Sequence, residues 1–316
     1  SKNLGKNMNE FQTELKNSLE RFRLDHIEPH AEHDDAEENF RMDVFRGLGE
    51  LGVCGMTVDE NYGGLGLGYT DLCIALEEIA KSSVSYAVTV SVSLMVQGII
   101  QKFGNEEQKK KYLPDLTSGQ EIGAFCLSES SSGSDAKSLK TTAKKVEGGY
   151  ILNGAKMWIT SGGIAKTYVV MARTGEEGAK GVSAFIVQDG TEGLSFGKKE
   201  KKMGWKVSPT REVLFQNCFV PEENLLLGEG QGFKVALGGL DAGRITIGSI
   251  AVGLSDRAVS ESVKYSLERQ QFDQPIFDFQ GLQFMISDMA CEMEASRLLV
   301  MKAAELLDAG KINSKL

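Results

Sequence analysis

Two segments of this chain hold residue types that could do chemistry together. The first is Cys126-Leu127-Ser128-Glu129-Ser130-Ser131-Ser132-Gly133-Ser134-Asp135. A short apolar run ends here in small residues that offer hydroxyls and backbone N–H groups, a cradle suited to an anionic cofactor. Taken alone, a serine-rich loop is equally just a loop. The second is Asn153-Gly154-Ala155-Lys156-Met157-Trp158-Ile159-Thr160-Ser161-Gly162-Gly163, a turn followed by a strand. Residues two apart on a strand share a face, so Trp158 could wall a flat ring while Thr160 hydrogen-bonds its edge. Taken alone, that pattern also fits a core tryptophan beside an ordinary strand threonine.

Other candidate constellations are weaker. His26, His30 and His33 are the only histidines, set among Glu28, Glu32, Asp34 and Asp35. The i,i+4 pair could bind a metal, but Pro29 should break the helix that would align it, so no metal site is expected. With no histidine elsewhere, Ser-His-Asp and Cys-His mechanisms lose their base. Gly63-Gly64-Leu65-Gly66-Leu67-Gly68 follows helix rather than strand and has no βαβ unit around it, so it reads as a turn and not as a dinucleotide fingerprint. The five cysteines are scattered and never paired as Cys-x-x-Cys, which suggests buried, inert thiols in a reducing compartment.

The elements that must position these residues fall into three regions. Residues 1–120 read as a helical domain: Phe11, Leu15, Leu19 and Phe22 recur at helical spacing, as do Val44, Leu48, Leu51 and Val53. Thr70-Asp71 looks like one helix start and Asn105-Glu106-Glu107 another, with Pro114 ending the latter. Residues 121–230 change to short β-branched or aromatic runs: Thr141–Val146, Tyr150–Asn153, Lys156–Thr160, Thr167–Ala172, Val182–Val187, Leu194–Phe196 and Glu212–Phe215. Glycine turns separate them, which predicts a middle antiparallel β-barrel or sandwich. Residues 231–316 return to helices over about 233–268 and 281–309, joined by a loop from Gln274-Pro275 to Gln280. The fold class is therefore α+β and multidomain: helical, then β, then helical. Two long apolar helices rarely close a core that four close easily, so this C-terminal bundle is expected to be incomplete.

Composition removes several function classes. With 316 residues, two or three domains are the prior. The net charge is −9, and the one lysine run, Lys198–Lys202, is interrupted by Glu200. A nucleic-acid partner is not expected without a basic stripe. Apolar stretches such as Ala87–Val96 are short and broken by Ser and Thr, well below the roughly 20 residues of a span, so no membrane role is expected either. Ser1-Lys2-Asn3 opens without a signal core, which points to bacterial cytoplasm, or to a mitochondrial matrix after processing.

Together, the two segments resemble the acyl-CoA dehydrogenase family, whose members carry a Cys-x-[Ser/Thr]-Glu-x-x-x-Gly-Ser-Asp loop and then a Lys-x-Trp-Ile-Thr strand. Further matches are Lys201-Lys202-Met203-Gly204-Trp205, Ser208-Pro209-Thr210, Val220-Pro221, Gly230-Gln231-Gly232-Phe233, Leu240-Asp241-x-x-Arg244 and Glu268-Arg269-x-x-Phe272. The resemblance runs from about residue 10 to the end of the chain. Gly98 to Gly104 with Glu106-Glu107-Gln108, and Leu240-Asp241-Ala242-Gly243-Arg244, look most like the short-chain (butyryl) branch.

The resemblance implies an FAD-dependent flavoprotein of fatty acid β-oxidation that converts short to medium acyl-CoA thioesters to trans-2-enoyl-CoA. The α proton would go to a carboxylate and the β hydride to N5 of the flavin, and an electron-transferring flavoprotein would collect the electrons. It implies that Phe125, Leu127 and Ser128 lie along the isoalloxazine, with Gly133 in the same cofactor loop and Ser134 at the pyrophosphate or the CoA moiety. Trp158, Ile159 and Thr160 would flank the ring. Asp241 and Arg244 would meet the acyl-CoA. Arg269, Gln271, Phe272 and Gln280 would reach the FAD of a neighbouring subunit, implying a homo-oligomer, usually a tetramer.

Two departures qualify this. Ser130 stands where the family usually has Pro, a mild change expected to loosen the turn. No glutamate matches the general base: the family's usual Tyr-Glu-Gly-Thr stretch has no counterpart, and the alternative place on the long helix beside Arg244 is Gly243. The native protein is thus expected to continue by roughly half a helical domain, and the chain as given to bind FAD weakly at best without turnover. The other readings are a catalytically incompetent FAD- and acyl-CoA-binding version, an acyl-CoA oxidase or nitroalkane oxidase relative, and a non-enzymatic helical scaffold.

Overall fold

A computed structural model describes residues 8–311, so the readings at Ser1–Asn3 and Leu316 lie outside the described residues. Six helices come first: α1 (Glu10–Phe22), α2 (Ala31–Ala36), α3 (Met42–Glu50), α4 (Tyr69–Ala80), α5 (Val84–Phe103) and α6 (Glu106–Thr117). Capping boxes open α1 and α6, where Asn9 with Gln12 and Asn105 with Gln108 exchange side-chain and backbone hydrogen bonds. Pro114 does not end α6, contrary to expectation. It removes one amide donor, but the next turn forms because Ser118 still donates to the Pro114 carbonyl at 3.1 Å and Leu113 and Leu116 are buried. Around Pro29 the chain rewinds, through a π turn at Arg23–Ile27 and a 3-10 turn at Glu28–His30. Among the described residues no cluster of His, Cys, Asp or Glu could hold a metal ion.

The strands are β1 (Gly123–Cys126), β2 (Thr142–Val146), β3 (Gly149–Thr160), β4 (Thr167–Arg173), β5 (Val182–Gln188), β6 (Leu194–Lys199), β7 (Thr210–Pro221) and β8 (Leu225–Leu226). They form one sheet in the order β6-β7-β3-β2-β4-β5-β8, with β1 added on β4. The expected antiparallel arrangement needs amendment, because β1 runs parallel to β4 and β2 touches β4 in parallel. Short β-branched runs mark where strands lie, not their direction, and the 40 residues between β1 and β4 give ample room for a parallel crossover. The path ends at β6 and β8, and no pairing joins those ends among the described residues.

The C-terminal part holds α7 (Gly232–Glu268), β9 (Gln270–Gln271), β10 (Gln274–Pro275) and α8 (Gln280–Asp308). The segment read as a loop is in part a hairpin. Its two tip residues, Phe272 and Asp273, have φ of 54° and 58°, as a two-residue turn matched to strand twist requires.

The chain gathers into two compact units, divided within α5 at Ala87/Val88 and within α7 at Gly243/Arg244. The unit made of residues 32–67 and 88–243 packs Val96, Ile99, Ile100 and Phe103 of α5 and Leu113 and Leu116 of α6 with Val169, Met171 and Ile186 of the sheet and with Val235 and Ala236 of α7. The other unit packs α1, α4, α8 and the later turns of α7. An ion network runs through it: buried Arg23 meets Glu78 at 2.7 Å, Lys81 meets Glu78 at 2.9 Å and Asp256 at 3.1 Å, and Arg297 meets Glu77 at 2.9 Å.

Two helices amend the expectation that nothing approaches a membrane span. α5 and α7 are long and apolar enough, with mean hydropathies of 1.4 and 1.3, although 78% of the α5 window is buried inside the protein.

In the same ionic unit, Asp308 at the end of α8 caps α4. Its carboxylate accepts from the Tyr69 and Thr70 amides at 2.6 and 2.9 Å and from the Thr70 hydroxyl at 2.7 Å. Gly68, at the N-cap position, leaves room for it, since a Cβ there would lie 2.5 Å from the carboxylate. Removing this borrowed cap by Asp308→Ala is expected to cost about 1 kcal/mol. A denaturation midpoint unchanged from wild type would refute that role.

Candidate functional site

The candidate site forms where β3 departs from regular pairing with β7. Lys156 pairs Val213, but three residues on Ile159 pairs Arg211, so one extra residue bulges. Trp158 sits in that bulge at φ +57° with 58% of its surface exposed. A left-handed backbone is costly for a bulky residue and persists only where the surroundings enforce it. A second tryptophan, Trp205, is held in the same way at φ +56° and is 45% exposed. Both indoles line a cleft of about 370 Å³ with Val88, Thr160, Glu200, Lys201, Lys202, Ser208 and Thr210.

The loop carrying Trp205 is fastened by Lys202, whose Nζ donates to the carbonyls of Trp205 (2.6 Å) and Ser208. Burial pulls this ammonium below the usual lysine range, against the attraction of Glu38 and Asp35. Ser208 also accepts from the Thr89 hydroxyl at 3.2 Å.

The hydroxyl-rich loop is tied to β3 immediately before the bulge. Met157 N–H donates to the Ser128 carbonyl at 2.9 Å. Lys156, fully buried, donates through Nζ to Glu129 Oε1 at 2.7 Å and to the Leu127 carbonyl at 3.2 Å. Glu129 also accepts from the amides of Lys140 (2.6 Å) and Thr141 (2.9 Å). Burial pushes the Glu129 carboxyl up, but the Lys156 charge and these hydrogen bonds outweigh it and hold it below the usual carboxylate range. For Lys156, burial prevails over the pull of Glu129 and lowers the ammonium. Glu129 and Ser132 exchange backbone hydrogen bonds at 2.9 and 3.1 Å, which places Ser130 and Ser131 in a tight turn.

Of the residues singled out in the sequence, Trp158 and Thr160 come together in the cleft, and Ser128 is bonded to the strand that carries them. Leu127 and Ile159 are buried, and Phe125 packs against the core, so Leu127 and Ile159 offer a ligand backbone rather than side chain. Gly133 and Ser134 are exposed, and a Cβ at Gly133 would meet nothing within 4 Å. Asp241 and Arg244 are exposed one turn apart on α7. Arg269, Gln271, Phe272 and Gln280 lie around the hairpin of the other unit, where the Phe272 ring is 87% exposed and packs edge-on to Phe279 at 6.1 Å.

Trp205, Lys202, Ser208 and Thr210 had no assigned role in the sequence reading, although their motifs were visible. A signal was present: Met203-Gly204-Trp205 places a large aromatic in a Gly- and Lys-rich stretch without alternation, where no core is available to receive it. Four of the five cysteines are buried, and burial pushes the thiols of Cys73 and Cys126 up to about 12. Cys291 is exposed, a correction to the uniformly buried set.

These groups fit a flavin. Exposed indoles suit a flat ring, the Thr160 hydroxyl suits its polar edge, and the open Gly133-Ser134 backbone suits a pyrophosphate.

Models of the N-terminal, middle and C-terminal domains of acyl-CoA dehydrogenases match residues 9–120, 124–218 and 230–315. The chain is 45% identical over 289 residues to the mitochondrial isobutyryl-CoA dehydrogenase of Dictyostelium discoideum, covering 91% of this chain and 70% of that protein. Among solved structures, butyryl-CoA dehydrogenase from Megasphaera elsdenii superposes with a TM-score of 0.94 at 38% identity, covering 98% of this chain and 82% of that one. A chain from a study of the electron transferring flavoprotein of Acidaminococcus fermentans superposes with a TM-score of 0.95 at 42% identity and the same coverage.

Proposed function

Because the chain belongs to the acyl-CoA dehydrogenase family, whose members are FAD-dependent oxidoreductases, we propose that it serves the α,β-dehydrogenation of short to medium acyl-CoA thioesters to trans-2-enoyl-CoA, with electrons leaving to an electron-transferring flavoprotein. The observation that carries this reading is Trp158, held in a left-handed bulge with its indole exposed over the cleft beside Thr160.

FAD supplies the hydride acceptor when bound. With it bound, Trp158 and Trp205 would exclude water from one side of the cleft, and the Thr160 hydroxyl would hydrogen-bond the ring edge. Phe125, Leu127 and Ser128 would lie along the isoalloxazine with Ile159 beside the ring, and Gly133 and Ser134 would hold the pyrophosphate or the CoA moiety. Asp241 and Arg244 take the thioester's polar portion, Arg244 being suited to a phosphate. Removal of the α proton needs a carboxylate, and at the place beside Arg244 that the resemblance offers, this sequence has Gly243.

The domain division 1–120, 121–230 and 231–316 and a role in fatty acid β-oxidation belong to the same proposal. So does a homotetramer, in which Arg269, Gln271, Gln280 and the exposed Phe272 reach a neighbouring copy's cofactor. A reducing compartment, bacterial cytoplasm or mitochondrial matrix, suits the buried thiols.

The deciding experiment records intact mass and visible spectrum of the purified protein, then adds butyryl-CoA without air. A flavin band that bleaches supports dehydrogenation. Bound flavin that neither shifts nor bleaches leaves cofactor binding without the reaction, and no flavin at all removes the cofactor assignment. Trp158→Ala is expected to weaken FAD binding about tenfold through loss of one stacking contact. Equal affinity in a fluorescence titration would take Trp158 out of the cofactor site.

A further inference from the structure

Lys156 and Glu129 form a deeply buried ion pair near the cleft, and neither lines it. Their neighbours show what they could do. Three successive loop residues are each held from β3: Leu127 through its carbonyl to Lys156 Nζ, Ser128 through its carbonyl to Met157 N–H, and Glu129 through its carboxylate to Lys156 Nζ. The next residue along β3 is Trp158. The carboxylate also gathers the amides of Lys140 and Thr141, so it fixes where the loop rejoins β2. The hydroxyl loop cannot shift along the bulge without breaking a charge-assisted bond in the interior.

Stability alone gives little reason for such a pair, since well-packed apolar residues of similar volume are often as stable. What an ion pair adds is direction: the ammonium is held by two acceptors and the carboxylate by three donors, and no other spacing satisfies them all. We propose that Glu129 and Lys156 are a positioning pair that sets the spacing of the serine loop against the Trp158 bulge, and thereby the fit of the flavin between them. This rests on the flavin reading of the cleft given above.

The test compares wild type with the double variant Glu129→Gln/Lys156→Met, which removes both charges while keeping side-chain size, so no buried charge is left alone. The urea midpoint reports folding. Amide exchange at Met157 reports the loop-to-strand bond without any cofactor. Fluorescence titration and the shape of the long-wavelength band report FAD. The expected double variant is folded, exchanges faster at Met157, binds FAD about tenfold more weakly and shows a broadened band. A folded double variant with wild-type exchange, affinity and band shape overturns the positioning role alone. Wild-type protein that takes up no FAD overturns the flavin reading, and this role with it.

Discussion

Lys156→Met, made alone, is expected to lower the stability of the protein by about 3–5 kcal/mol near neutral pH, because it strands a buried carboxylate. In wild type the Glu129 carboxyl is held below its ordinary value, chiefly against burial by the Lys156 charge. Such a group contributes stability that is present above the unfolded pKa and is lost as pH falls through the folded one. Without the ammonium, the amides of Lys140 and Thr141 remain but burial dominates, so the carboxyl rises above its unfolded value. Its sign then reverses: the variant is relieved at acid pH and penalised as pH rises through the carboxylate range. The gap between the two proteins should therefore widen from roughly pH 4 to pH 7. Lys156 itself, lowered by burial, leaves wild type with a penalty that fades only as pH climbs toward the ordinary lysine value. Urea midpoints of both proteins at acid and neutral pH measure the effect. A gap that is the same at both, or under about 1 kcal/mol, would mean that Glu129 is not confined as its geometry indicates.

That pair also marks where reading the sequence ends. The apolar spacing in α1 and α3 and short β-branched or aromatic runs such as Val182–Val187 are local signals, and the helix-sheet-helix order follows from them directly. The motifs that match the family lie in the sequence as contiguous strings. Their tertiary joints do not. Glu129 and Lys156 are 27 positions apart, and Asp308 reaches the Thr70 amide from 238 positions away. No periodicity signals either contact. Trp158 sits in a strand whose pattern predicts regular alternation, and its left-handed backbone arises from the slip against β7, which only the partner strand reveals. Pro114 shows the opposite failure: a strong local stop signal gave way because the turn beyond it still found backbone partners and buried Leu116.

Helix α7 offers a second large effect, in which one substitution should have opposite signs at two positions. Alanine is favoured over glycine in a helix interior by about 1 kcal/mol, so local propensity predicts stabilisation at both Gly243 and Gly253. At Gly243 a Cβ would lie 3.6 Å from Met95 Sδ, an ordinary contact with a flexible side chain. Gly243→Ala is therefore expected to stabilise the protein by up to about 1 kcal/mol. At Gly253 the same atom would lie 2.2 Å from the Glu77 carbonyl oxygen and 3.0 Å from the Ala80 Cβ. Backbone of α4 cannot swing aside as a thioether can. Relieving the overlap means moving α4 away from α7, and neighbouring bonds resist that: Ser249 Oγ donates to the Cys73 carbonyl at 2.5 Å, and Asp256 on α7 holds Lys81 at 3.1 Å. Overpacking of this kind costs about 1–3 kcal/mol, and with backbone as the obstacle the upper end applies. Gly253→Ala should thus lower the urea midpoint while Gly243→Ala raises it. Two midpoints that both rise would mean that propensity alone governs α7 and that α4 does not approach Gly253 closely enough to require a glycine there.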